Sequence, residues 1–131
     1  MSAGPLLLDT HAFIWWATND PRLSSVARAA VGDSDATVLV SVVTPWEMTI
    51  KRALGRLELS ESPRALVYGQ LARNDFRPLA VELEHVLGVA ELPLHHGDPF
   101  DRLLIAQAQV EGAILVSGDE VFVRYGLEVV W

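Results

Sequence analysis

The sequence of 131 residues contains no cysteine, which excludes disulfide bonds, thiolate metal sites and cysteine nucleophiles. Any metal bound by this chain must therefore be held by oxygen atoms or imidazole. Long hydrophobic runs are also missing, since the longest, such as 38–43, are far too short to span a membrane. Residues 1–5 lack the basic flank and apolar stretch of a signal peptide, so we expect a cytoplasmic protein with no membrane partner.

Basic residues are scarce, with 10 Lys and Arg against 17 Asp and Glu and a net charge of −7. This balance argues against broad, non-specific binding to nucleic acids, because a phosphate backbone favours clustered Lys and Arg. It does not exclude a nuclease. A cluster of acidic residues that holds divalent cations presents a positive centre to phosphate.

The apolar residues follow patterns that alternate between strand and helix. Short apolar runs predict buried strands at 6–8, 37–42 and 113–117, with weaker candidates at 77–81 and 127–131. Helical stretches separate them, including an amphipathic one over 82–92 that carries Leu83, Val86, Leu87 and Ala90. The alternation predicts an α/β fold, a single three-layer α/β/α domain over residues 1–131 with a mainly parallel central sheet.

Two predicted helix starts each carry an acidic residue in the first turn. Asp98 is a good N-cap, Pro99 falls at the first helical position, and Asp101 lies at the third, near the positive end of the helix dipole. Thr44 and Glu47 match a capping box at the start of another helix. A capping role alone would explain either acidic residue.

Two more acidic residues, Asp9 and Asp119, come just after predicted strands. Parallel strands end at one edge of a sheet, where open α/β sheets bind ligands, so Asp9, Glu47, Asp101 and Asp119 can meet there. Clustered carboxylates need a counter-charge, and Mg²⁺ or Mn²⁺ supplies it through oxygen ligands. Such a site can activate a water and neutralise charge on a phosphodiester.

The motifs around these acidic residues occur in a distinctive order: Leu-Leu-Leu-Asp9-Thr-His, then Trp46-Glu47 before Lys51 and Leu54-Gly55-Arg56-Leu57, then residues 98–108, then Val116-Ser117-Gly118-Asp119. In this order they resemble a PIN domain, and more closely the VapC-type toxins of prokaryotic toxin–antitoxin modules. The resemblance extends over essentially the whole chain, and residues 98–108 are its most specific part. It implies a PIN-like fold and a metal-dependent endoribonuclease that cleaves RNA phosphodiester bonds as a toxin.

Carried over residue by residue, the resemblance implies that Asp9 and Asp101 are the principal ligands of Mg²⁺ or Mn²⁺. Glu47 and Asp119 would complete this catalytic cluster, directly or through water. The last motif often reads Thr-x-Asp in relatives, and Ser117 keeps the hydroxyl here. The resemblance also implies a homodimer and a cognate VapB-type antitoxin whose segment lies across the site.

Several neighbours of these acidic residues have both a structural and a functional interpretation. The hydroxyls of Thr10 and Ser117 can support the site or cap local turns, and Asp98 fits a helix cap better than a ligand. Four basic residues on the helices that begin with site acids are candidate RNA phosphate contacts, against ordinary helix-face charges: Lys51, Arg52, Arg56 and Arg102. We assign loop or packing roles to three histidines: His11, His95 and His96.

Large apolar side chains are more numerous than one small core needs next to a polar cleft. We expect most of them in the core and some at a dimer face or a groove for a partner helix: Phe13, Trp15, Trp16, Trp46 and Met48.

Two other functions stay open from the sequence. One is a PIN-like binding or assembly module that has lost catalysis. The presence of all four acidic residues argues against it. The other is a phosphotransferase that forms an aspartyl-phosphate at Asp9, which follows a strand and precedes Thr10. Haloacid-dehalogenase-like enzymes would have a second Asp where this chain has His11.

Overall fold

The protein, described here by a computed structural model over residues 4–131, is built on a five-stranded parallel sheet. Residues 1–3, part of the stretch considered above for a signal peptide, lie outside the described residues. The strand order is β3-β2-β1-β4-β5, and the strands are β1 Leu6–Leu8, β2 Val38–Ser41, β3 Arg77–Leu79, β4 Ile114–Val116 and β5 Val129–Val130. The predicted α/β fold with a parallel sheet is confirmed.

Helices connect the strands and cover both faces of the sheet. They are α1 Thr10–Ala17, α2 Ser25–Gly32, α3 Val43–Ala53, α4 Pro63–Asn74, α5 Leu83–Val89, α6 Pro99–Glu111 and a 3₁₀-helix at Glu120–Tyr125. Within residues 4–131, no helix has the length and apolar character needed to cross a membrane.

The central strand β1 shows how the three layers form. Successive side chains of a strand point to opposite faces, so Leu6 and Leu8 enter one core while Leu7 enters the other. The first core includes Phe13 of α1 and residues of α2 and α4, and the second is filled largely by α6. Burial on both faces explains why β1 is a continuous apolar run.

The order of the strands places a crevice beside β1. The chain runs outward from β1 to β2 and β3, then returns to the other side of β1 for β4 and β5. Such a reversal leaves a ligand-binding crevice at the carboxyl ends of the two central strands. Leu8 pairs with Val116 in register, and the Asp9 amide donates to the Val116 carbonyl at 3.1 Å. Asp9 and Ser117 therefore leave the sheet side by side.

The predicted capping box at the start of α3 is wrong. The helix begins at Val43, and the amide of Val43 donates to the Ser41 hydroxyl at 3.0 Å, so Thr44 lies inside the first turn. Thr44 is fully buried, and its hydroxyl has no hydrogen-bond partner within residues 4–131. Glu47 consequently lies deeper in the helix than predicted, and its carboxylate is available for other contacts.

The amphipathic helix predicted over 82–92 is shorter and faces a different way. Helix α5 spans Leu83–Val89, and Leu83, Val86 and Leu87 are each at least half exposed. The side chain that α5 buries completely is His85. Its Nδ1 accepts from the Glu82 amide at 2.9 Å, and its Nε2 lies 2.9 Å from Glu111 of α6.

Candidate metal-binding active site

Asp9 stands where β1 ends and α1 begins. Its Oδ1 accepts from the Ala12 amide at 2.7 Å, so it caps α1 as well as facing the crevice. Burial raises the pKa of Asp9 above its usual value, against the lowering effects of the Ser117 hydroxyl, the Ala12 amide and His11. A carboxylate so placed is costly to ionise without a nearby cation.

Glu47 of α3 is held by two partners in the interior. The Thr10 hydroxyl donates to Oε1 at 2.7 Å, and the Lys51 ammonium forms an ion pair with Oε2. Burial opposes the charge of Lys51, but Glu47, Asp98 and Asp101 together raise its pKa. Lys51 is therefore the chain's own counter-cation at this cluster.

Asp101 lies in the first turn of α6, which begins as predicted. Asp98 caps the helix by accepting from the amides of Phe100 at 2.9 Å and Asp101 at 3.1 Å. The pKa of the Asp101 side chain is raised to about 7, first by burial and then by four other carboxylates: Asp98, Glu47, Asp9 and Asp119. The other three predicted acidic residues thus all lie near enough to Asp101 to raise its pKa.

Asp119 lies at the mouth of the crevice and is exposed. The Ser117 hydroxyl accepts from the Asp119 amide at 3.0 Å, and Asp119 Oδ1 accepts from the Val121 amide at 3.0 Å to cap the 3₁₀-helix. Of the two hydroxyls considered from the sequence, Thr10 contacts Glu47 directly and Ser117 holds the turn that carries Asp119.

The donor set fits a hard divalent cation, because carboxylate oxygens are what Mg²⁺ and Mn²⁺ prefer. In the part of the chain described, no three carboxylate or imidazole groups yet stand close enough together to enclose an ion. Both oxygens of Glu47 already accept, from Thr10 and from Lys51. The raised pKa values of Asp9 and Asp101 show that their charged forms are disfavoured in the metal-free chain, and a bound cation would favour those forms.

The four candidate phosphate contacts separate into different environments. Arg56 is exposed, and exposed Arg52 lines an apolar groove between α3 and α4. Lys51 is paired with Glu47. The Arg102 guanidinium donates to the carbonyls of Pro93 at 2.9 Å and Val89 at 3.3 Å, so it holds the loop before α6, and its contact with phosphate stays a prediction.

The loop before α6 also contains a contact that no sequence pattern predicts. His96 Nδ1 lies 2.7 Å from the Tyr125 hydroxyl, and its Nε2 lies 3.4 Å from Asp101 Oδ2. His95 packs edge-on against Tyr125 with ring centroids 4.8 Å apart. The packing roles expected for His95 and His96 are confirmed, and His96 additionally touches the acidic cluster.

The large apolar side chains divide between core and surface. Phe13 and Met48 are fully buried, while Trp15 and Trp16 pack against the same core and stay partly exposed. Trp46 is 54% exposed, and its ring packs edge-on against Phe100 with the ring centroids 4.8 Å apart.

Comparison with known proteins identifies the family of this chain. The family described as PIN domain matches residues 6–127. Ribonuclease VapC22 from Mycobacterium tuberculosis (strain ATCC 25618 / H37Rv) is 30% identical over 115 residues, covering 87% of this chain and 86% of that protein.

Two solved structures share the fold at low sequence identity. VapBC2 from Rickettsia felis, bound to a DNA fragment from its promoter, matches with a TM-score of 0.70 and 16% identity over 95% of this chain and 96% of that one. VapBC-5 from Mycobacterium tuberculosis, a member of the VapBC family of toxin–antitoxin systems, matches with a TM-score of 0.60 and 18% identity over 98% of both chains. The chain therefore belongs to the PIN-domain family and is a homologue of a VapC ribonuclease.

Proposed function

We propose that this chain is a Mg²⁺- or Mn²⁺-dependent endoribonuclease, the toxin of a toxin–antitoxin pair, acting in the cytoplasm as one PIN-like domain over residues 1–131. The observation that carries the proposal is the nearness of Asp9, Glu47 and Asp119 to Asp101 at the β1/β4 crevice: burial first, and then the charges of Asp98 and these three residues, raise the pKa of Asp101. The ribonuclease name of a relative that is 30% identical supports the same activity.

Each acidic residue has a distinct place in the proposed site. Asp9 and Asp101 are the principal ligands, because both are buried or half-buried and neither forms an ion pair with Lys or Arg within residues 4–131. Glu47, oriented by Thr10, would complete the ligand set directly or through water. Asp119, exposed at the mouth, completes the set.

A bound divalent cation supplies charge neutralisation for the phosphodiester and lowers the pKa of a water that can attack phosphorus. The chain itself contributes positioning. Asp98 fixes the first turn of α6 and hence the backbone of Asp101, while Ser117 fixes the turn that carries Asp119. The Lys51 ammonium balances Glu47 and limits the repulsion among the acidic residues.

The test is cleavage of total RNA by the purified protein with Mg²⁺ or Mn²⁺. EDTA should abolish cleavage, and Asp9→Asn or Asp101→Asn should each lower it by more than about 100-fold, the scale of one preorganised charge in an active site. Activity that survives both substitutions would reject the proposal. Binding of Mn²⁺ without cleavage of any RNA would favour the binding module that has lost catalysis.

The proposed partners are a VapB-type antitoxin and a second copy of this chain. Two apolar surfaces are available for them: the groove between α3 and α4, of about 920 Å³ and lined by Val42, Val67 and Tyr68, and the exposed face of α5. Exposed apolar patches of this kind mark interaction sites. Size-exclusion chromatography should give a dimer, and co-expression with the small neighbouring reading frame should suppress the ribonuclease activity.

A further inference from the structure

We propose that a pocket beside the four carboxylates receives one unstacked nucleobase of the RNA substrate, which stacks on Trp15 and Trp131. The pocket has a volume of about 410 Å³, within the range of small-ligand sites, and its walls also include His11 and Arg22. This inference rests on the proposed ribonuclease function, which it deepens by giving the base next to the scissile phosphate a binding site.

The pocket shares two residues with the proposed catalytic cluster. Asp9 and Asp119 form part of its lining, and Gly118 lies between Asp119 and the strand that precedes it. A ligand in this pocket is therefore adjacent to the reacting phosphate. In an RNA chain, the nucleobase is joined to the phosphate through a single ribose, and it is the group with a flat apolar face.

The opposite wall of the pocket is aromatic. The His11 ring stacks on Trp15 with centroids 5.4 Å apart and an interplanar angle of 27°, and Trp131 meets Trp15 at 5.8 Å with a tilt of 54°. Trp15 and Trp131 are both partly exposed. A base that enters the pocket takes the place of the exposed His11 ring on Trp15 and stacks beside Trp131. Aromatic faces bind bases of any sequence, because every base has a π-face.

Gly118 makes the approach of Trp131 possible. A Cβ atom at Gly118 would lie 2.7 Å from Trp131 Cε2 and 2.9 Å from its Nε1, closer than real contacts allow. The variable position of the Ser117-Gly118-Asp119 motif thus holds a residue that lets an indole pack directly over the turn carrying a site carboxylate.

Arg22 supplies positive charge to a site that otherwise repels phosphate. Its guanidinium carbon lies 4.8 Å from the centroid of the Trp15 ring, and its side chain is 68% exposed. Asp20 holds it through two bonds, from Nε at 3.1 Å and from Nη2 at 2.8 Å. An arginine fixed on an aromatic face can contact the phosphate that follows a stacked base.

This arrangement selects single-stranded RNA. A base inside a duplex is already stacked on both sides and paired, whereas bases of loops and unpaired segments can turn out and stack on aromatic side chains. The pocket therefore predicts that cleavage occurs in unpaired segments.

The test measures base stacking directly. A set of short single-stranded RNAs, each carrying 2-aminopurine at a different position, is titrated with the full chain in the Asp101→Asn background so that cleavage does not interfere. Quenching of 2-aminopurine fluorescence at one position or at a few adjacent positions is expected, and no quenching is expected with the same RNA in a duplex.

Trp16 provides a matched control for Trp15. Both are partly buried on α1, but Trp16 packs on Phe76 at 6.0 Å, away from the pocket. Trp15→Leu should raise the Kd for the quenched RNA by about 5- to 150-fold. Trp15→Phe should restore much of that loss, and Trp16→Leu should change Kd by no more than about twofold.

Arg22→Gln should lower the slope of log K against log salt by about 0.7, the value for one phosphate contact of a single strand. Equal Kd values for Trp15→Leu and Trp16→Leu, or quenching at no position, would overturn the pocket assignment while cleavage by the unmodified protein still stood. A chain that neither binds nor cleaves RNA would overturn the proposed function as well.

Discussion

The hydroxyl of Thr10 donates a 2.7 Å hydrogen bond to Glu47 Oε1, although the two residues are 37 positions apart in the chain. Thr10 opens α1 just after Asp9, and Glu47 lies in α3, so this bond ties the two helices together at the edge of the crevice. Both residues are buried. Glu47 is thereby oriented before any cation arrives.

We expect Thr10→Val to weaken Mn²⁺ binding by about 10- to 100-fold, the usual cost of losing a partner that orients a metal ligand. Valine keeps the shape of threonine but cannot donate to Glu47. Isothermal titration calorimetry with Mn²⁺ measures the effect, and Thr10→Ser, which keeps the hydroxyl, is the control. Equal affinities for the valine and serine variants would show that the bond has no part in metal binding.

Replacement of Lys51 should make the protein more dependent on metal for its stability. Lys51→Met leaves the Glu47 carboxylate buried without its counter-charge, which should lower the free energy of unfolding of the metal-free protein by about 1–3 kcal/mol. Because Mn²⁺ restores positive charge at the same place, the rise in Tm on adding Mn²⁺ should be larger for the variant than for the unmodified chain.

Arg52→Met is the control for Lys51→Met. It removes the next positive charge of α3, from an exposed position that lines the apolar groove between α3 and α4. Thermal unfolding with and without Mn²⁺ gives the comparison. If Mn²⁺ raises the Tm of both variants by the same amount, the Lys51 ammonium is not the counter-charge of Glu47 in the metal-free protein.

Much of this fold could be predicted because its signals are local. Strand β1 consists of three apolar residues in a row. Asp98-Pro99 combines an N-cap residue with a proline at the first helical position, a pair typical of a helix start. The sequence predicts the wrong start for α3 because the Ser41 hydroxyl at the end of β2, and not Thr44, accepts from the first helical amide, that of Val43. The sequence alone does not determine which of these two hydroxyls, three residues apart, accepts from the first turn of the helix.

The rest of the fold depends on contacts between distant segments. The Ser41 hydroxyl donates to Gln107 of α6 at 2.5 Å, and the Gln107 amide nitrogen lies 3.5 Å from His85 Nδ1. No periodic pattern in the sequence predicts this buried network of polar side chains. The network accounts for the orientation of α5, which buries His85 and exposes its leucines. The acidic residues are marked by local signals, since each follows a strand or lies near a helix start, and their assignment as one site stays a prediction.

The raised pKa of Asp101 predicts opposite pH dependences for stability and metal affinity. In the folded chain this pKa is about 7, against about 3.9 for an unperturbed Asp, so the folded state binds the proton more tightly. Between these values the folded state holds more protons than the unfolded state, and the contribution of Asp101 to stability falls as pH rises. Mn²⁺ must displace that proton, so its affinity should rise over the same range.

Urea unfolding of the metal-free protein and Mn²⁺ titrations, each at about pH 5 and about pH 8, test both directions. The variant Asp101→Asn has no proton to lose at this position and should show a weaker dependence in the unfolding experiment. A Mn²⁺ affinity that is independent of pH would contradict the assignment of Asp101 as a ligand.

Arg102 should matter for stability and not for RNA binding. Its guanidinium donates to the carbonyls of Val89 and Pro93 and to the Tyr125 hydroxyl at 3.3 Å, which pins the loop before α6 and leaves it poorly placed to meet a phosphate. Arg102→Gln should lower the free energy of unfolding by about 1–3 kcal/mol, because three acceptors, two of them partly buried, lose a charged donor. The salt dependence of RNA binding should stay unchanged, whereas Arg56→Gln, at an exposed position, should reduce it if Arg56 contacts phosphate. A stable Arg102→Gln variant with a smaller salt slope would return Arg102 to the list of phosphate contacts.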